Sequence, residues 1–544
     1  TNKVSQGTTI DQVDTNTIIT GTSNQNTVTI ETEKKGDKVE VTLKDLNIDA
    51  SRGSEAAVSV TGSGNTTIEL DGSNTLKGGS QHAGLEHNQT VDGEGNVTSG
   101  KLTIQDDNDK AGSLTATGGS FSAGIGGGSA KAGQVTITGG TITAIGTDGA
   151  GIGGGQGNQP SNAGNADIEI SGGTIDATGG DQAAGIGGGT WGDANIKITG
   201  DAVIKSAVGG FSGEGAGNST GGAGIGGGAG GHGTIDISGN AQVKNALGKD
   251  GGAGIGGGTW GDANIKITGD AVIKNATGGI FGAGIGGGGG RNGDVTISGN
   301  AKIENAQGGY AGSGIGGGYG ASGTVTIKDD STVTATGGEA GAGIGGGIGG
   351  LSDVTIEGNA TVNATGGVGS AGIGGGYDAE NDDDGTGNKI TIKSNERGAP
   401  TVNATGGESG IDEDTNKEFS GGAGIGSGAS DAKADITLEG KVTITATAGK
   451  DNVAIGANGI EQEFNGLDGS ITRYDSEGND ITLPTDPGYP VPADTSSSGG
   501  GSADTSVQKS VFPGLTVTDK DGQRISYTST QSGNTLTVRV GRFT

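Results

Sequence analysis

The heptad Gly-Ala-Gly-Ile-Gly-Gly-Gly returns at a nearly fixed interval, and that recurrence dictates what this chain can become. Its isoleucines fall at Ile125, Ile152, Ile186, Ile225, Ile255, Ile285, Ile315, Ile344 and Ile373, then in weakened form at Ile425 and Ile455. The shortest regular spacing is about 30 residues, and a fixed period in the range of roughly 20 to 50 marks a stacked-repeat architecture. Each repeat then buries its apolar face only against its neighbours.

Without the period, composition would mislead. The chain holds 128 glycines, 29% hydrophobic residues and a net charge of −30, values that in an unpatterned chain leave too little apolar surface to offset the entropy of ordering. There is no cysteine, so no disulfide and no thiolate metal or redox site is available. There is also no methionine; the chain reads as a processed form, and the want of a signal peptide says nothing about compartment. No apolar run is long enough for a membrane-spanning helix. The acidic balance repels the phosphates of nucleic acid.

The unit Ala123 to Ile145 shows how a repeat folds. Ala123 and Ile125 alternate with glycines, Val135 and Ile137 with threonines, and Ile142 and Ala144 with threonines again. Side chains of a strand alternate faces with period two, so three strands per repeat point Ile, Val and Ala inward and Thr outward. Glycine pairs such as Gly139-Gly140 mark the corners. The expected fold is an all-β, right-handed parallel β-helix of about 30-residue, three-strand rungs with a small C-terminal β meander. GIGGG as a nucleotide-binding loop fails, since no helix follows and no Lys-Ser/Thr completes the motif.

The residues before the repeats read as short strands, Val39 to Leu43, Ala57 to Val60 and Thr67 to Leu70, with polar turns such as Asp71-Gly72-Ser73-Asn74. The run Val41 to Gly79 (VTLKDLNIDASRGSEAAVSVTGSGNTTIELDGSNTLKGG), the degenerate repeat Ala83-Gly84-Leu85 and the GAGIGGG units after it resemble the β-helical carbohydrate-binding domain of secreted and surface proteins from anaerobic, often Gram-positive, bacteria. The resemblance covers about 1–460. It implies a right-handed parallel β-helix, a polysaccharide or host-glycan ligand, possible calcium, and an extracellular or bacterial cell-surface location.

Outward positions stack in columns. In the middle of the second strand the sequence runs Thr136, Glu169, Lys197, Asp236, Lys266, then Thr296, Thr326, Thr355, Thr391 and Thr437. Interleaved charges on neighbouring strands fix register at about 0.2–1 kcal/mol per pair; the threonine run invites an ice-binding reading, against which stand its mixed flanking columns and threonine's ordinary preference for strands. Two segments, Ala184 to Lys205 and Ala253 to Lys274, are identical and carry the two tryptophans. Trp191, Trp260, Tyr319 and Tyr377 recur on alternate rungs after the glycine run, about 9.6 Å apart at ~4.8 Å per strand. Aromatic rings on a line suit the apolar faces of sugars; the competing reading is that they only cover a glycine-rich corner. A second corner bearing Phe121, Phe281, Tyr310 and Phe419 reads as packing.

The largest insertion separates Ile373 from Ile425. It holds Asp378, Glu380, Asp382 and Asp384 before Gly385, then Asp412 and Asp414, alternate oxygen ligands that resemble the start of a calcium loop, although Thr391 stands where a complete EF-hand has glutamate. Asp106-Asp107-Asn108-Asp109 is a weaker cluster. Enzyme readings fare poorly: three histidines, seven arginines and no cysteine leave little for a zinc or Ser/His/Asp site, and polysaccharide lyase or hydrolase chemistry lacks a basic residue beside an acidic cluster.

The expected organisation is 1–100 as an N-terminal β-helix segment or cap, 101–460 as the repeat β-helix, 461–506 as a strand-turn tail and Pro/Gly/Ser linker, and 507–544 as a meander of Leu515 to Thr518, Arg524 to Thr530 and Thr535 to Val540. The meander either caps the open end or is a separate module. Two functional readings stay open: a non-enzymatic polysaccharide-binding adhesin module, or a self-associating filament or surface-layer subunit.

Overall fold

The computed structural model describes residues 17–108, 110–212, 220–382, 385–412 and 416–490, together with the backbone of strands Asn2–Lys3, Thr8–Asp11, Tyr527–Ser532 and Thr535–Val540. Two compact units divide the chain, Thr1–Tyr489 and Pro490–Thr544. The first is a parallel β-helix.

Each strand pairs in parallel with its counterpart one coil later. Gly133–Ile137 pairs with Ala166–Ile170, Thr141–Ile145 with Thr174–Thr178, and Ile125–Gly126 with Ile152–Gly153. The first two columns merge into one 29-stranded sheet, and the isoleucine column forms a 16-stranded sheet. Val135, Ile137, Ile142, Ala144 and Ile152 are buried in a continuous core, each Ile or Val worth about 1.5–3 kcal/mol against exposure. The charged and threonine column stacks as expected, Glu169 beside Lys197, Lys197 beside Asp236, and onward to Thr391 beside Thr437. An ion pair reaches across two coils, Lys101 Nζ to Glu169 at 3.1 Å.

Two expectations need correction. The Asp71-Gly72-Ser73-Asn74 segment is no turn: one strand, Asn65–Lys77, runs through it. Asn74 is buried and satisfies the bulge where the register shifts between Lys44 and Asn47, accepting from the Leu46 amide at 3.0 Å and donating to the Asp71 and Ser113 carbonyls. Buried hydrogen bonding overrides turn propensity there. Residues 461–489, expected to be tail and linker, belong instead to the β-helical unit and close its end. Ile460–Glu461 folds back antiparallel onto Ile455–Ala457, and Asp468–Tyr474 adds a last parallel strand to Lys441–Thr447.

A fully buried Arg473 locks this closure. Its guanidinium grips Asp486 through Nε and Nη2, both at 2.8 Å, and also reaches Glu461 and the Gln462 carbonyl. A paired and fully hydrogen-bonded charge is tolerated in the interior. In the second unit, Tyr527–Ser532 and Thr535–Val540 form an antiparallel hairpin; Leu515 to Thr518 and residues 524–526 of the expected meander lie outside the described residues.

Candidate functional site

The heptad does not run as an extended strand. In every coil from Ile125 to Ile425 the amide two residues before the isoleucine donates to the carbonyl two residues after it, as in Ala184 to Gly188 at 2.9 Å, Ala253 to Gly257 at 2.9 Å and Ala283 to Gly287 at 3.0 Å. The chain therefore bends inward as a wedge with Ile at the buried apex. Glycine is required just past the apex: Gly256 has φ +144°, and a Cβ there would sit inside the radius of the Gly286 carbonyl oxygen one coil on.

Outside the core the two legs of the wedge meet. The amide four residues after Ile donates to the carbonyl four residues before Ile in the preceding coil: Thr259 to Gly221 at 3.0 Å, Gly289 to Gly251 at 2.7 Å, Tyr319 to Phe281 at 2.8 Å. The two corners of the sequence reading are thus one ridge. Phe281, read as packing, stands edge-on to Tyr319 with centroids 5.6 Å apart, and Ile280 and Tyr310 are exposed on the same ridge. Glycines placed symmetrically about Ile were the signal for a fold-back.

The aromatic residues fall in two offset columns rather than one row. Trp191 and Trp260 lie five residues past Ile; Tyr319 and Tyr377 lie four past. The hydrogen bonds from Trp260 to the Gly289 carbonyl and from Gly290 to the Tyr319 carbonyl are those of a parallel ladder, each amide reaching the residue before its partner, so fifth positions stack on fifth positions and the tyrosines stand one residue earlier. At the fifth position the backbone is left-handed, with φ 61° at Trp191 and 62° at Trp260, where Gly230, Gly290, Gly320 and Gly349 occupy four sister coils and Ala130 (φ 54°) and Asp378 (φ 57°) two others. A left-handed bulky residue costs about 1–2 kcal/mol.

Each tryptophan ring reaches over the glycine of the following coil. A Cβ on Gly230 would overlap the Trp191 ring, whereas one on Gly290 would clear Trp260 Cδ1 at 3.5 Å. Trp191 is accordingly half-buried and Trp260 50% exposed; Arg291 Nε donates to the Trp260 carbonyl at 3.2 Å. Tyr377 is half-buried against Phe419, centroids 4.4 Å apart.

Polar groups flank the tryptophans. Asp181 and Asp250, each five residues before Ile on the two tryptophan coils, bury one carboxylate oxygen without a hydrogen-bond partner. Burial raises the pKa of both; Asp148 adds to the rise at Asp181, while Lys249 opposes it at Asp250. Past the rings a ladder of side chains accepts amides from coil to coil, Asp193 from His232 at 2.8 Å, His232 Nδ1 from Asp262 at 3.0 Å, and Asp262 from Asn292 at 3.1 Å. His82 contacts Glu86 at 2.8 Å and His87 the Gln134 carbonyl at 2.7 Å.

Among the described residues the acidic side chains are not brought together. Asp378 and Glu380 are exposed, and Asp382 opens a turn in which Gly385 donates to its carbonyl at 2.7 Å. Asp384, Asp414, the side chain of Asp412 and, in the weaker cluster, Asp109 lie outside the described residues. Among the described residues no three His, Asp or Glu side chains converge in a way that could hold a metal ion. Likewise, no helix among them is long and apolar enough to cross a membrane.

The Beta helix repeat family model matches residues 110–129, 135–156, 168–190, 325–348 and 354–377. The match supports a β-helical repeat protein, an architecture suited to a surface, structural or polysaccharide-related role. Searches of curated proteins and of solved structures gave no match.

Proposed function

We propose that this chain is a non-catalytic polysaccharide-binding protein of the extracellular surface, and that Trp191 and Trp260 form its primary contact. The observation that carries the reading is their backbone. Both occupy a left-handed position that four sister coils give to glycine and two to Ala130 and Asp378, so a bulky ring there is held at a conformational cost, and outliers of this kind concentrate at binding sites. An exposed aromatic face beside polar groups is what a pyranose needs: its apolar face stacks while its hydroxyls find acceptors. Asp193 and Asp262, two residues past the rings, supply carboxylates that reach solvent.

Growth into a filament by end-to-end strand pairing is disfavoured by the closed C-terminal end, where Ile460–Glu461 and the Arg473 clasp cover the last coil. Edges are where added strands dock, and this one is covered.

Replacing both tryptophans by glycine tests the reading, because it installs the residue of the sister coils. Affinity for insoluble polysaccharide falls by roughly 1–3 kcal/mol per ring on the scale of stacked aromatic contacts, while Trp260→Gly alone unfolds no earlier than wild type, its strain being released. A glycan array on which wild type and the double variant behave alike would leave the rings as corner cover.

A further inference from the structure

A second surface lies apart from the tryptophans. Gln307, Thr336, Thr365 and Thr405 are in register on successive coils and form one wall of a groove of about 590 Å³ that runs along the helix axis. Its floor is the glycine pair that follows each strand, and its far wall carries Tyr310, Glu339 and Glu408. The pairs Gly337-Gly338, Gly366-Gly367 and Gly406-Gly407 keep that floor free of side chains across three coils.

The groove is polymeric in shape. It repeats every coil, about 4.8 Å, comparable to one sugar of an extended β-linked chain. Tyr310 is 56% exposed at one end and offers a ring face. Glu339 and Glu408 are exposed, stand two coils apart, and have no ion-pair partner among the described residues. No lysine or arginine lines the groove. Screening over about 8 Å at physiological salt mutes the net charge of the whole chain, but not a carboxylate in contact with its ligand.

We infer that this groove binds an extended glycan bearing free amino groups, laid along the axis with alternate sugars facing Glu339 and Glu408. The inference rests on the polysaccharide reading above and adds the ligand's charge class and a second point of attachment. The threonine hydroxyls meet the sugar hydroxyls, the carboxylates the ammonium groups, and a polyanionic glycan is turned away.

Affinity electrophoresis of the full chain in gels containing glycol chitosan, hydroxyethyl cellulose or polygalacturonate tests this. The expected order of retardation is glycol chitosan, then hydroxyethyl cellulose, with polygalacturonate giving none. Thr365→Trp, which fills the groove from an exposed position, weakens binding to glycol chitosan at least tenfold. Glu339→Gln with Glu408→Gln removes its preference over hydroxyethyl cellulose and leaves the fold unchanged by circular dichroism. Retardation by glycol chitosan that survives both variants, or stronger retardation by polygalacturonate, overturns the groove assignment while leaving the tryptophan ridge intact. No retardation in any gel by wild type overturns the polysaccharide reading itself.

Discussion

The coils before Gly118 and those after it enclose the same core by different means. Early coils close their third side with ordinary five-residue strands, Val28–Thr32 and Val58–Gly62, and fill the interior with Leu43, Leu46, Leu70, Leu76 and Leu85. Later coils replace that side with the inward wedge, whose apex contributes one Ile. Val58 and Ile125 both pair with Leu85, so apex and strand are the same position. A wedge gives up apolar volume and gains convergence: its two legs emerge together, and whatever they carry stands on one ridge. The regular coils have no such ridge. Both proposed binding surfaces lie where the wedge is present.

Substitution just past the apex separates the two designs most sharply. Gly256→Ala meets backbone of the next coil at a positive φ, and should cost several kcal/mol or abolish cooperative unfolding in urea, about the scale of the largest single-site effects. Ser59→Ala at the equivalent early position, where the residue is already not glycine, should leave the urea midpoint within about 0.5 kcal/mol. Equal effects would mean that the wedge is not a distinct device. Next in size is Leu70→Ala, which should cost about 2–5 kcal/mol by opening a cavity in the leucine-filled coils, against about 0.5–1.5 kcal/mol for Ile273→Val in a wedge coil, both read from urea midpoints.

Smaller effects sharpen the comparison within the ridge. Gly230→Ala must displace the Trp191 ring, whereas Gly320→Ala meets open space and only the strain of φ 66°, so the melting temperature should fall further for the first; in a Trp191→Gly background the difference should vanish. Acidification distinguishes the ridge carboxylates. Asp181 and Asp250 have folded-state pKa values raised by burial, so their favourable contribution is complete below the unfolded pKa and disappears as pH rises through the folded one. Asp250→Asn should therefore raise the melting temperature at pH 7 and leave it unchanged near pH 3. The smallest expected effect is of EDTA: since the described carboxylates do not converge, the melting temperature should hold. A fall would assign calcium to the loops around Asp378 and Asp412, because a metal that binds only the folded state stabilises it.

Much of the fold was legible because strand periodicity and coil period reinforce each other. Once Val135 and Ile137 faced inward, Thr136 and its successors had to stack on the other face; they share one register, reaching solvent from Glu169 onward while Thr136 itself is buried. The wedge was missed because Ala-Gly-Ile-Gly also alternates like a strand, and the glycines placed symmetrically about Ile are a weaker cue than the hydrogen bond between Ala123 and Gly127 that identifies the fold-back. The ridge was half legible. Trp260 is exposed as expected but Trp191 is half-buried, and a shift of one residue across a left-handed bend puts Tyr319 and Tyr377 in another column. Arg473, Glu461 and Asp486 lie in a tail without repeat, and their meeting depends on tertiary contacts that no local pattern announces.

The clasp at Arg473 also has a mechanical meaning. Tension entering the β-helical unit at residue 490 must first break a buried, multiply bonded guanidinium before any coil is disturbed. After that the unit peels like a zipper, coil by coil, each release of about 30 residues paying out roughly 100 Å of chain. A chain built this way stays stiff under light load and lengthens in steps under heavy load, dissipating the pull along its own length.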